Sequence, residues 1–324
     1  MITMQVARRR LVLAGLAGWM APLAAQQIPA HEAMPFYNPA QFMAGAWRRW
    51  YAPTAQAFAQ RAQALADALA ATCVPTADAA QALSAARRAW AEAALAYTRL
   101  SAVSIGPLLK RRSTRQIDFT PTRPELIRRA IAAAPAELAA LERIGTPAKG
   151  LPALEWLLWA QPVAPDSAAC RYAALLGQQL LAEAQALAQA FEALAAAQPE
   201  PDDEEAAQGA AVAMAELMNQ WVGGAERLRW PAMDKPLKSA PKGKAPAYPR
   251  AASGLTAQAW SAHWQGLRTL AVASSDAAPQ PGRDLVTLES YVRGRGLNPL
   301  ADQWVASVRR VDQALAQARP DAAA

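Results

Sequence analysis

Histidine is nearly missing from this chain: His31 and His263 are the only two among 324 residues. That scarcity excludes a histidine-rich zinc or haem site, and His31-Glu32 has no second histidine at the spacing of a zincin motif. Two histidines do not assemble into a recognisable Ser-His-Asp or Cys-His arrangement, and no glycine-rich phosphate loop is present. Cysteine is equally scarce, and Cys73 and Cys170 are too few for a metal–thiolate cage. In an oxidising compartment they can form one disulfide; two buried free thiols are the alternative, because cysteine is often a small core residue. No stretch alternates with period two for long enough to read as a strand. No carboxylates are spaced as in a di-iron bundle, although a carboxylate-only site for a hard ion stays open. The longest apolar run falls short of the ~20 residues that span a bilayer.

That run is the first positive feature. Arg8, Arg9 and Arg10 precede an uncharged stretch from Leu11 to Ala25 that ends in small residues. A basic region, a short apolar core and a small-residue cleavage point make residues 1–25 an expected signal peptide, with an N-terminal anchor as the competing reading. The arginines suit either the Sec or the twin-arginine route. No cysteine stands at the cleavage point, so the mature chain is expected to be soluble and periplasmic. Without those three arginines it carries 30 basic against 26 acidic residues, net +4. So mild an excess, outside the cytoplasm, argues against a nucleic-acid partner.

Beyond the signal the apolar residues recur at helical spacing almost throughout, which predicts an all-α bundle. Helices are expected over Pro39–Ala71 with a kink at Pro53, from an N-cap at Thr76 to Ser104, and over Pro124–Ala133, Pro135–Ile144 and Pro152–Ala160. A long helix follows Ser167, another starts in the acidic stretch 200–205, and three more cover Leu255–Leu270, Arg283–Arg293 and Pro299–Ala318. Two stretches read as non-helical. One is a basic connection, 105–123; the other is a Pro/Lys-rich surface loop, 231–253, with five prolines and five basic residues.

Three segments in order resemble the imelysin-like family of bacterial periplasmic proteins. The first runs from Arg111-Arg112 through Arg115, Asp118 and Phe119 to Pro121 and Arg123. The second, Lys149-Gly150-Leu151-Pro152-Ala153-Leu154-Glu155-Trp156-Leu157-Leu158, is similar to that family's Gly-x-His-x-x-Glu signature. The third joins Lys235-Pro236-Leu237 to Arg250-Ala-Ala-Ser253-Gly-Leu255. The resemblance implies two packed helical bundles, about 36–200 and 201–318 within an imelysin-like domain of 26–324, and an association with iron uptake. It also implies that metallopeptidase activity extends to some members only. At the signature's most chemical position Pro152 replaces the histidine. A histidine and a glutamate at i and i+3 share a helix face and can share a metal ion, whereas proline fits a first helical turn without supplying a ligand.

Ligand-binding candidates are therefore Glu155, Gly150, Pro152, Arg112, Arg115, Asp118, Arg123 and Lys235. Glu155 precedes a very apolar run and needs a partner if buried. The arginines of 111–123 are the expected partners, Arg115 among them, either in a ligand site or in a structural ion pair. Segment 106–129 carries seven basic and two acidic residues, net +5. It suits a small anionic ligand such as a phosphate or a chelated metal, or simply a solvated or lipid-facing basic face. His263, between Trp260 and Trp264, reads as a structural histidine. The expected function is non-catalytic binding or accessory work for an iron-uptake system, with iron or another divalent metal as the only candidate cofactor. The alternatives are a metallopeptidase and an envelope interaction module acting through 231–253.

Overall fold

A computed structural model of the chain describes residues 34–318 and 320, apart from 77, 162, 198–202 and 276. The expected signal peptide and His31 lie outside them. The described residues form helices and no strand. In chain order these are α1 (Pro39–Ala46), α2 (Ala52–Thr72), α3 (Ala79–Leu100), α4 (Pro107–Lys110), α5 (Ser113–Ile117), α6 (Pro124–Ala132) and α7 (Gly150–Glu155). They continue as α8 (Ala168–Ala196), α9 (Glu204–Arg227), α10 (Lys235–Ser239), α11 (Thr256–Ala271), α12 (Leu288–Arg293) and α13 (Asn298–Gln317).

Four starts, those of α1, α8, α9 and α12, follow from capping chemistry. Asn38 and Gln41 form a reciprocal capping box ahead of Pro39. Ser167 caps α8 through the Cys170 N–H, and Asp203 caps α9 with Glu204 and Glu205 in its first turn. Prolines inside the helical stretches are absorbed by widened turns. A π-helical segment, Trp47–Tyr51, joins α1 to α2 just ahead of Pro53, so the chain continues where the sequence predicts a kink. A second, Leu228–Asp234, contains Pro231 and carries α9 into α10. A wide turn gives up the hydrogen bond that proline cannot make and relieves its clash with the preceding turn. The expected loop 231–253 is therefore helical as far as Ser239, and the irregular connection is 240–255. The basic connection 105–123 likewise contains two short helices, α4 and α5, and Pro135–Ile144 is a 3-10 turn over Leu138–Arg143.

Helix α2 packs along both α3 and α8. Its Ala55, Phe58, Ala62, Leu65 and Leu69 are fully buried, as are Trp90 and Tyr97 on α3 and Leu187 and Phe191 on α8. Each large apolar side chain buried this way contributes about 1.5–3 kcal/mol of transfer free energy. Alanines between them let the helices approach closely. Helices α11 and α3 approach so closely that a Cβ on Gly266 would collide with the Arg99 carbonyl. The Cys73–Cys170 disulfide ties the end of α2 to the first turn of α8, with 5.5 Å between the Cα atoms. No helix of the described residues is long and apolar enough to cross a membrane.

His263 on α11 faces the Gly224 carbonyl at 2.9 Å. A carbonyl only accepts, so Nε2 carries the proton and donates it. Burial, the largest influence, pushes the imidazole down to about 4, with Arg227 adding to the effect and the bond to Gly224 opposing it. A group depressed from an ordinary value near 6.5 stays neutral in the fold while the unfolded chain takes up a proton. Stability should therefore fall as pH drops from about 6.5 to about 4, by up to roughly 3 kcal/mol, and level off below. Urea unfolding across that range checks this. His263→Gln, which can still donate to Gly224, should lose less stability than wild type; parallel curves would refute the assignment.

Candidate functional site

The site is built at the start of α7. Gly150 has φ +70, and a Cβ there would collide with the carbonyls of Ile117 and Gln116. Only glycine lets the chain turn against α5 at this point. The turn is pinned from several sides. Tyr172 OH donates to the Ala148 carbonyl at 2.6 Å, Lys149 Nζ to the Leu141 carbonyl at 2.9 Å, and Trp90 Nε1 to the Leu151 carbonyl at 3.0 Å. Pro152 is buried in the first turn of the helix. After Glu155 the helix widens into a π segment, Trp156–Ala160. The Leu158 carbonyl there accepts from Arg87 Nε at 2.9 Å and Nη2 at 2.7 Å, which satisfies a helix-end acceptor.

Glu155 is 8% exposed and fully engaged. Its Oε1 accepts from the Ser253 N–H at 3.1 Å and the Ser253 hydroxyl at 2.7 Å. Its Oε2 faces Arg250 Nη1 at 3.5 Å, while Arg250 Nη2 donates to Asp118 Oδ1 at 2.6 Å. The guanidinium thus bridges two carboxylates from separate elements. It also lies over the Trp90 ring, 5.2 Å from its centroid, and Trp90 meets Trp159 edge-on at 5.0 Å. Arg250 itself has φ +67, a left-handed backbone unusual for a side-chain-bearing residue. Its ion pairs and ring contact hold it there.

This corrects the expected pairing of Glu155 with an arginine of 111–123. Arg115 is exposed, and the partner is Arg250, reached across the irregular connection. The physical reason is desolvation: a buried carboxylate is met by a cation that is itself enclosed, here at 7% exposure. Of the candidates named from the sequence, Glu155 and Asp118 come together through Arg250. Arg112 and Arg115 line an adjacent cleft of about 620 Å³ with Gln116, Phe119, Glu142 and Lys149. Arg123 is exposed, its backbone N–H directed to the Pro147 carbonyl at the cleft edge. Lys235 is exposed in α10, and no described residue pairs with its ammonium. Arg250, Ser253 and Lys149 escaped the candidate set. A lone arginine followed by serine at i+3, in a loop whose other cations are lysines, was the available signal for the first two.

A metal ion does not fit this arrangement. The Glu155 oxygens already have protein donors, and the Arg250 guanidinium stands between the two carboxylates where a cation would sit. Nowhere among the described residues do three His, Cys, Asp or Glu side chains gather around one point. What the cluster does is mechanical: it clamps the 250–253 turn onto the α7 helix and the end of α5.

Comparison with known proteins places this geometry in context. The model of the imelysin family, Peptidase M75, matches residues 51–324. An imelysin-like protein from Psychrobacter arcticum 273-4 shares the fold with a TM-score of 0.68, at 20% identity over 88% of this chain and 86% of that one. A protein of Parabacteroides distasonis ATCC 8503, described as a putative iron-regulated protein A precursor, aligns with a TM-score of 0.64, at 13% identity over 87% and 86% of the two chains. No protein of curated function matches the sequence.

Proposed function

The chain belongs to the imelysin family, and from that premise we propose that it is an exported periplasmic protein with a binding or accessory role in iron acquisition. The observation that carries this reading is the state of Glu155. In the signature that this segment resembles, a histidine three residues earlier would join the glutamate on a metal; here Pro152 stands in its place and the carboxylate is committed to Ser253 and Arg250. The iron-regulated neighbour supports the iron association. The Cys73–Cys170 bond supports an oxidising compartment, in agreement with the export signal in the sequence. A peptidase reading is favoured by the family's name alone.

Protein taken from the periplasmic fraction, with its mature start expected near Gln26, is the material for the test. It should hold no stoichiometric zinc and show no chelator-sensitive cleavage of an unfolded substrate. A strain lacking it should grow more slowly than its parent under iron limitation and equally well with iron supplied. Chelator-sensitive cleavage that disappears in Glu155→Gln would overturn the reading and put a metallopeptidase first.

A further inference from the structure

The cleft beside α7 holds a buried cation with donors to spare. Lys149 is 6% exposed, and its ammonium gives one of its N–H groups to the Leu141 carbonyl. An ammonium has three donors, and no other described residue meets the remaining two. Burial lowers the Lys149 pKa, with Glu142 opposing the shift. A cation so placed is stabilised by an arriving negative charge.

The rim repeats the pattern. Arg112, whose left-handed backbone (φ +53) stands just ahead of α5, and Arg115 within that helix both line the cleft, and neither guanidinium has a partner among the described residues. Their neighbours are occupied: Arg111 is paired with Glu183 at 2.6 Å, and Arg128 lies 5.2 Å from the Trp156 ring centroid. In this segment the cations left unpaired include both that face the cleft. Glu142 is the one acid in the lining, which is therefore net +2. Phe119 and Ile144 supply apolar wall, and about 620 Å³ is ample for a small molecule.

We propose that this cleft binds the oxyanion groups of a small anion, carboxylate or phosphate, between Lys149 and the Arg112–Arg115 pair. Guanidinium forks match both groups bidentately, while the ammonium adds a point charge at the floor. The inference rests on the binding-protein reading above and sharpens it. A polycarboxylate iron chelate would be held through its carboxylate groups, with no protein atom on the metal, as suits a chain whose Glu155 is already spent.

Calorimetric titration of the mature protein with citrate, ferric citrate and inorganic phosphate tests this. At least one should bind, and the three arms identify the source of the oxyanion. Arg112→Gln with Arg115→Gln should weaken binding by about 10–100-fold, roughly tenfold for each charge-assisted hydrogen bond removed. Glu142→Gln should tighten it several-fold, a gain that general damage to the fold does not produce. These three exposed positions make no hydrogen bond or ion pair through their side chains among the described residues, so they decide the matter where Lys149→Met also disturbs the bond to Leu141. No binding of any probe at about 5 mM, or affinity unchanged in the double arginine variant, overturns the proposal. Citrate bound but ferric citrate refused would keep the oxyanion site and remove the iron reading. An iron-limited growth defect without oxyanion binding would do the reverse.

Discussion

Arg250→Met should destabilise the protein by about 3–5 kcal/mol, the range found when one partner of a buried ion pair is removed and the other is left. Methionine keeps much of the length of the side chain and its packing on Trp90, so the loss isolates the charge. What remains is Asp118 and Glu155, respectively 24% and 10% exposed at the side chain, facing each other's field without a cation between them. The left-handed backbone at residue 250 loses the ion pairs that hold it, and the 250–253 turn should loosen with it. Urea unfolding of wild type, Arg250→Met and the neutralised triple variant Arg250→Met/Asp118→Asn/Glu155→Gln checks the cause. The triple variant should recover a good part of the loss, because neutral amides no longer demand a counter-charge. A loss below about 1 kcal/mol in Arg250→Met would show the pairs to be as weak as exposed ones.

How far this cluster is legible in the sequence depends on the distance between its parts. The helices are legible because their signals are local: Ser167 at a cap, Pro124 and Pro299 at first turns, and apolar residues at helical spacing along α2 and α8. Glu155 and Asp118 are legible as polar residues in places that demand an explanation. Their partner is not, because Arg250 lies 95 residues from Glu155 and 132 from Asp118, and periodicity carries nothing across such spans. Pro53 and Pro231 mislead for a different reason. Proline removes one hydrogen bond, and whether the chain breaks or widens its turn is decided by what packs around it. Lys149 is hidden by its type: a lysine before a glycine reads as surface charge, and only the folding of 138–148 over it encloses the ammonium.

Loss of the Cys73–Cys170 bond is the other change with a large expected effect. The bond closes a loop of 97 residues, and in the loop-entropy model such a crosslink stabilises by about 4–5 kcal/mol through the unfolded chain. Its position makes the native side of the argument equally direct. The helices it joins, α2 and α8, pack along each other at the centre of the core, and Cys170 is fully buried beside Thr72, whose hydroxyl donates to the Leu69 carbonyl at 2.7 Å. Backbone pairing continues past the bond, from the Asp166 N–H to the Cys73 carbonyl at 3.2 Å, so the geometry does not depend on the crosslink alone. Reduced protein should therefore keep its helical circular dichroism at room temperature yet unfold at much lower urea, and Cys73→Ala/Cys170→Ala should behave like it. Thiol labelling of denatured, unreduced periplasmic protein gives the first check, with no reactive thiol expected. Two thiols per chain would mean that the cysteines are only core residues, and would remove the support that the bond lends to an oxidising compartment.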